Sequence, residues 1–153
     1  MAIEFKVQVK IMKPVAEVFD AVVNPAKLTG YFVGSSTGPL EAGKTVTWRF
    51  PEFPDMPIPV IVKELIPNKL IRFEWRGDQP DYYTTVTMTF DELTADSSMI
   101  SIVESGWRDT DSARAGSYRN CSGWMHMGMC MKAYLEFGIN LRKDSFDPEK
   151  MDL

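Results

Sequence analysis

Few side chains in this chain could do chemistry, and one carboxylate stands apart. Glu104 follows Ile100 and Ile102 at two-residue steps in a largely apolar run, the spacing at which a strand presents residues on one face. That register allows an inward Glu104, where a carboxylate needs a partner; a strand-end glutamate facing water is the favoured reading. Arg72 and Arg49, on neighbouring segments, are the candidate partners. Inward, Glu104 would be the polar anchor of a ligand site or a pocket acid; outward, it would be a strand-end residue facing water. His126 is the single histidine. It lies two residues from Trp124, ~200° around a helix, which puts it on an outward face with Ser122 and Arg119. Cys121 and Cys130 are nine residues apart. Nine helical steps make ~900° and ~13 Å, so the two thiols point to opposite sides and cannot bridge each other. Free thiols fit a reducing compartment.

Motifs of catalysis are lacking. There is no H-E-x-x-H, C-x-x-C, G-x-S-x-G or phosphate-cradling glycine loop. One histidine and two separated cysteines do not make a zinc set. The residues call for no metal and no cofactor, and no residue is assigned a catalytic role; binding is favoured over catalysis.

The elements that would position Glu104 can be read in turn. From Asp111 to Leu141 the chain reads as one long helix: Cys121, Trp124, Gly128, Met131 and Leu135 recur at three- and four-residue steps, with Met125 and Ile139 beside them. Asp109, Thr110, Asp111 and Ser112 offer capping oxygens, and Gly138 offers a stop. Ile3, Phe5, Val7, Val9 and Ile11 alternate with polar residues, a strand with one buried face. Pro14 opens a helix with Val15, Val18, Phe19 and Val22 on its apolar side. Asn24-Pro25 breaks it, and Pro25 opens a second short helix through Leu28. Strands follow over Thr45–Phe50, Val60–Leu65, Leu70–Trp75, Tyr82–Glu92 and Met99–Trp107. Between them Pro51, Pro54, Pro57 and Pro59 exclude a central strand and read as a stiff surface loop. With short links throughout, six or seven strands form an antiparallel sheet, an α+β arrangement in which the long helix lies across a curved sheet.

A chain of 153 residues is a single domain's worth, taken here as 1–153 with 142–153 as a polar tail free to move. The content of 44% hydrophobic and 25% charged residues is that of a soluble globular protein. A net charge of −4 argues against nucleic acid. No run approaches the ~20 apolar residues of a membrane span, and the N-terminus has no signal-peptide core, so a cytoplasmic location is expected.

Several local motifs are similar to those of a known family. Pro14–Val22 with Pro25-Ala26-Lys27-Leu28 resembles the first helix and break of the activator of Hsp90 ATPase homologue (AHSA1)-like group. Gly38–Gly43 resembles its glycine turn, and Pro67–Trp75 its "P-x-x-L-x-x-x-W" strand. Gly123-Trp124 followed by Met131–Glu136 resembles its "G-W…L-K-x-Y-L-E" helix. The order of elements is that of the wider Bet v 1/START-like (SRPBCC) superfamily. The resemblance implies the helix-grip fold: a curved antiparallel sheet wrapped around a long C-terminal helix, with two short helices after the first strand.

It also implies a cavity between helix and sheet for a hydrophobic or aromatic small molecule or lipid. Trp48, Trp75, Phe90, Glu104, Trp124, Gly128 and Met131 are its candidate lining. Gly128 removes a side chain from the inner stripe of the helix, and methionines around it would make an adaptable wall. The same glycine would equally let an aromatic of the sheet pack closely, with the methionines as filler, leaving a plain core. The implied partners are therefore such a small molecule or lipid, an Hsp90-type chaperone, or a second copy of the chain in a homodimer. A small cyclase- or hydratase-like enzyme using a pocket acid is the remaining alternative.

Overall fold

Alternation builds the first strand. In the computed structural model, which describes residues 2–151, β1 (Ile3–Ile11) buries Val7, Val9 and Ile11 on one face. Met1, Asp152 and Leu153 lie outside the described residues. Pro14 precedes α1 (Val15–Val23), whose Val18, Phe19, Ala21 and Val22 are buried. Asn24 ends α1 in extended conformation and starts α2 (Pro25–Leu28) by accepting a hydrogen bond from the Ala26 N–H. Then come β2 (Ser35–Ser36), β3 (Thr45–Phe50), β4 (Phe53–Ile66), β5 (Leu70–Arg76), β6 (Tyr83–Thr94) and β7 (Ser97–Trp107). The seven strands form one antiparallel sheet in the order β1-β7-β6-β5-β4-β3-β2. The helix α3 (Asp111–Phe137) lies against β1 and β7. This is the helix-grip fold expected from the motifs.

Two boundaries differ from the sequence reading. The long helix stops at Phe137 rather than Leu141, because Gly138 adopts a left-handed conformation (φ 68°) and its N–H and that of Ile139 return to Tyr134 and Ala133 carbonyls. At the other end, Thr110 is the capping residue, accepting from the Ala113 N–H.

The second difference is the proline-rich segment, which after a turn at Pro51 is strand from Phe53 onward and not loop. β4 begins at Phe53 and pairs with β3 as far as Ile61, whereas its pairing with β5 begins only there. Thr47, opposite Pro59, uses both its backbone groups toward Thr37: its N–H donates to Thr37 Oγ1 and its carbonyl accepts from Thr37 N. Thr47 therefore turns its hydrogen-bonding groups away from Pro59. Pro59, and Pro57 two residues before it, in turn face away from β3, where no neighbouring strand asks for an N–H. A strand paired on one side tolerates proline at these positions.

The core lies between the concave side of the sheet and α3. Trp48, Phe73, Ile71, Met88, Ile100, Ile102, Met127 and Met131 are among its fully buried side chains. The methionines divide by helical geometry: Met127 and Met131 are buried, and Met125 and Met129 are exposed. The expected wall of methionines is thus half of one, since residues two apart on a helix sit ~200° apart.

Candidate functional site

Glu104 points inward. It is fully buried and accepts hydrogen bonds from four side chains on three elements. The Trp75 indole N–H (β5) donates at 3.1 Å and Thr84 Oγ1 (β6) at 2.7 Å, both to Oε2. The Trp124 indole N–H (α3) donates to Oε1 at 2.9 Å, and Asn120 Nδ2 (α3) reaches both oxygens at 3.1 Å. Local geometry explains the convergence. Trp75 pairs with Thr84 across β5–β6, and Val86, two residues on, pairs with Glu104 across β6–β7, so Thr84 and Glu104 share a face. Asn120 and Trp124 are one helical turn apart on the side of α3 that meets this face. All four partners are neutral. Neither expected arginine arrives: Arg72 pairs with Glu64 at 3.6 Å, and Arg49 donates to the Pro54 carbonyl. Both sit on the other side of their strands from the buried carboxylate.

Aromatic rings surround this carboxylate. The Trp75 and Trp124 rings lie 5.3 Å apart, and Trp48 stands edge-on to Trp75 at 6.3 Å. Phe73 and Phe32 extend the cluster against Trp48 and Trp124. The Trp48 indole N–H is buried without a partner. Of the candidate lining, then, Trp48, Trp75, Glu104 and Trp124 come together. Phe90 is elsewhere, edge-on to Phe19 of α1 at 5.1 Å, and Met131 is fully buried in the core. Gly128 opens no space: a Cβ there would lie 2.6 Å from Cγ2 of Val9. The glycine does permit a close approach, but of Val9 on β1 and not of the aromatic expected.

His126 differs from its expected outward, open position. It is half-buried, stacked on Phe146 at 4.8 Å and 3.5 Å from Cys130 Sγ. The chain after Gly138 folds back over it. Burial first, and then the Arg142 guanidinium, hold the imidazole below the ordinary value of 6.5. A group whose pKa is lowered on folding takes up its proton first in the unfolded chain. Stability present above pH 6.5 is therefore lost as the pH falls through the folded value. The urea midpoint is expected to drop between about pH 7 and about pH 5, and the drop to be smaller in His126→Gln; equal drops would contradict this account.

Asn120 and Thr84 escaped the sequence reading, as did Phe32, Glu52 and Arg142. The four-residue step from Asn120 to Trp124 and the two-residue step from Thr84 to Val86 were the available signals, but nothing in the sequence set their register against Glu104. A groove of about 530 Å³ opens beside the site, lined by Ala2–Phe5 at the start of β1 and by Asp109, Arg114, Ser117, Tyr118 and Cys121. Phe5 stands opposite Glu104 in the β1–β7 ladder, and Cys121 follows Asn120.

Comparisons with known proteins agree on the architecture. The family model described as "Activator of Hsp90 ATPase homolog 1-like protein" matches residues 13–136. Among solved structures, a protein of Staphylococcus saprophyticus is 27% identical, with a TM-score of 0.77 over 92% of this chain and 96% of that one. The Aha1 dimer of Colwellia psychrerythraea is 19% identical, with a TM-score of 0.72 over 89% and 98% of the two chains. An HSP90 activator of Plasmodium falciparum is 17% identical, with a TM-score of 0.67 over 88% and 96%. A search of the curated proteins returns no match. No helix among the described residues is long and apolar enough to cross a membrane.

Proposed function

This chain belongs to the family of Activator of Hsp90 ATPase homolog 1-like proteins, and from that premise we propose that it holds a small amphipathic molecule between α3 and the sheet. Glu104 is the polar anchor, and Trp48, Trp75 and Trp124 form the apolar contact. One observation carries the reading: a carboxylate buried completely among indole rings, satisfied by neutral donors and, among the described residues, matched by no cation. Such a group is costly to bury, and a ligand head that donates hydrogen bonds, or carries positive charge, would take the place of one of its donors. Indole faces favour the same kind of head. The groove beside Phe5 and Cys121 lies next to this site, Phe5 being the cross-strand partner of Glu104. Glu104 makes none of its hydrogen bonds to a second titratable group, so the constellation suits binding better than acid–base catalysis.

The test is a thermal-shift screen with amphipathic aromatics, amines and lipids. A ligand at 100 times its Kd adds ~2.7 kcal/mol, roughly 5–10 °C in a domain of this size. One class bearing a donor or cationic head should produce that shift in the wild-type protein and not in Glu104→Gln. A flat screen, or equal shifts in both proteins, would remove the proposal.

A second reading is a protein-interaction module acting on an Hsp90-type chaperone. It is favoured by Val9 filling the space under Gly128, which leaves the middle of the helix–sheet gap closed. Its test is the ATPase rate of an Hsp90 with and without this protein; an unchanged rate would count against it.

A further inference from the structure

The segment after α3 is attached to the rest of the molecule at very few points. Residues 139–150 are exposed except for Arg142 and Phe146. Beyond the helix cap, the hydrogen bonds within this segment are its own turns: Lys143 N to Asn140 Oδ1, Ser145 Oγ to Leu141 O, Ser145 N to Arg142 O, Glu149 N to Asp147 Oδ1 and Lys150 N to Asp147 O. Among the described residues, the hydrogen bonds that tie it to the body are those of Arg142 to Glu52, Nη2 to Oε1 at 2.6 Å and Nε to Oε2 at 3.3 Å.

The receiving site is built from the body of the protein. Glu52 sits in the β3–β4 turn, about nine-tenths buried like Arg142 itself. The guanidinium lies 5.2 Å from the centroid of Phe50 and 5.6 Å from that of Phe32. Phe146, four residues on in the same strap, adds a third ring at 5.1 Å and anchors the strap on His126. Two phenyl faces and a carboxylate presented to a planar fork are what a guanidinium requires: cation–π contact on its faces and two parallel acceptors at its edge. A groove of about 360 Å³ continues from this point, with Thr29, Tyr31, Val33 and Pro51 on the body side.

We propose that Phe32, Phe50 and Glu52 form a guanidinium-binding cage, occupied by Arg142 of the chain's own C-terminal segment, that takes an arginine side chain from a turn of another polypeptide when that segment lifts. The occupant is specified by the chemistry of the strap that mimics it: an arginine with an aromatic residue four positions later. Lysine fits less well, because an ammonium cannot engage both carboxylate oxygens in the plane of the rings. This surface shares Phe32 with the aromatic cluster around Glu104 but does not depend on a small molecule binding there.

The test empties the cage and refills it. Full-length Arg142→Ala should melt lower than the wild type. Added methylguanidinium should restore at least half of that loss, methylammonium at the same ionic strength should not, and neither should act on the Glu52→Gln/Arg142→Ala double variant. A labelled peptide of the strap sequence Asn140–Phe146 should bind Arg142→Ala at least ten-fold more tightly than the wild type, whose own strap competes, and a peptide with alanine in place of the arginine should bind neither. If Arg142→Ala does not fold, Arg142→Lys takes its place with the same readouts. Failure of methylguanidinium and of the peptide to act on a folded variant would overturn the proposal, as would equal rescue by methylammonium.

Discussion

Glu104→Ala is expected to lower the stability of this protein by about 4 kcal/mol. The reason is what the substitution leaves behind. Two indole N–H groups, one amide and one hydroxyl converge on the carboxylate, which is fully buried. A buried donor deprived of its acceptor costs about 1–3 kcal/mol. Four such losses would exceed the total, but water entering the vacated space would satisfy part of them. The remainder is still a large fraction of the ~5–15 kcal/mol that holds a typical domain together. Glu104→Gln should lose less, because one oxygen remains, but its new amide faces donors. The discriminating measurement is a pair of urea titrations. If the donors are the cost, Asn120→Leu added to Glu104→Leu should be less damaging than the sum of the two single changes. Strict additivity, or a loss below about 1 kcal/mol for Glu104→Ala, would mean the network does not hold α3 to the sheet.

Gly128→Leu is the second, with an expected loss of about 3 kcal/mol. Leucine is a better helix former than glycine by nearly 1 kcal/mol, so local propensity alone would stabilise the variant. Packing opposes it. The first atom of any side chain at this position meets Val9 Cγ2 at 2.6 Å. Val9 is β-branched, with few rotamers to retreat into, and it sits in a strand hydrogen-bonded to β7. Overpacking of this kind costs typically 1–3 kcal/mol and sometimes more. The second-site change Val9→Ala should restore part of the stability of Gly128→Leu while destabilising the wild type. A stable single variant would show that α3 can shift off β1, and the closed gap described above would then be adjustable.

These two residues also mark what could be read from the sequence. A strand's two-residue period made an inward Glu104 one of two readings, but the favoured one, a strand end facing water, is not what the fold adopts; Gly138 was legible as a stop signal, yet the helix was carried past it to Leu141. The partners of Glu104 were not legible. Trp75, Thr84, Asn120 and Trp124 reach one carboxylate only after two strand registers and one helix rotation are set together, and the arginines nearest in sequence pattern lie on the wrong faces. Gly128 announced a close approach without saying of what; Val9 is at the other end of the chain. Arg142 and Glu52 are 90 residues apart, and Arg142 fell in a stretch read as a polar tail. The proline-rich strand was missed because proline's effect depends on which side of the strand its nitrogen faces, and that side is decided by the Thr37–Thr47 contact.

That last arrangement has a consequence for how molecules of this protein behave toward one another. Between Phe53 and Val60 the sheet has an unaccompanied margin, the kind of backbone on which strands of other chains add in succession. Pro57 and Pro59 stand on that margin with no hydrogen to offer, so an arriving strand finds its acceptors unanswered there. Their contribution is to colloidal behaviour rather than to folding. Replacing both with threonine would leave the monomer's own ladder intact and open a route to fibrillar polymer at high concentration.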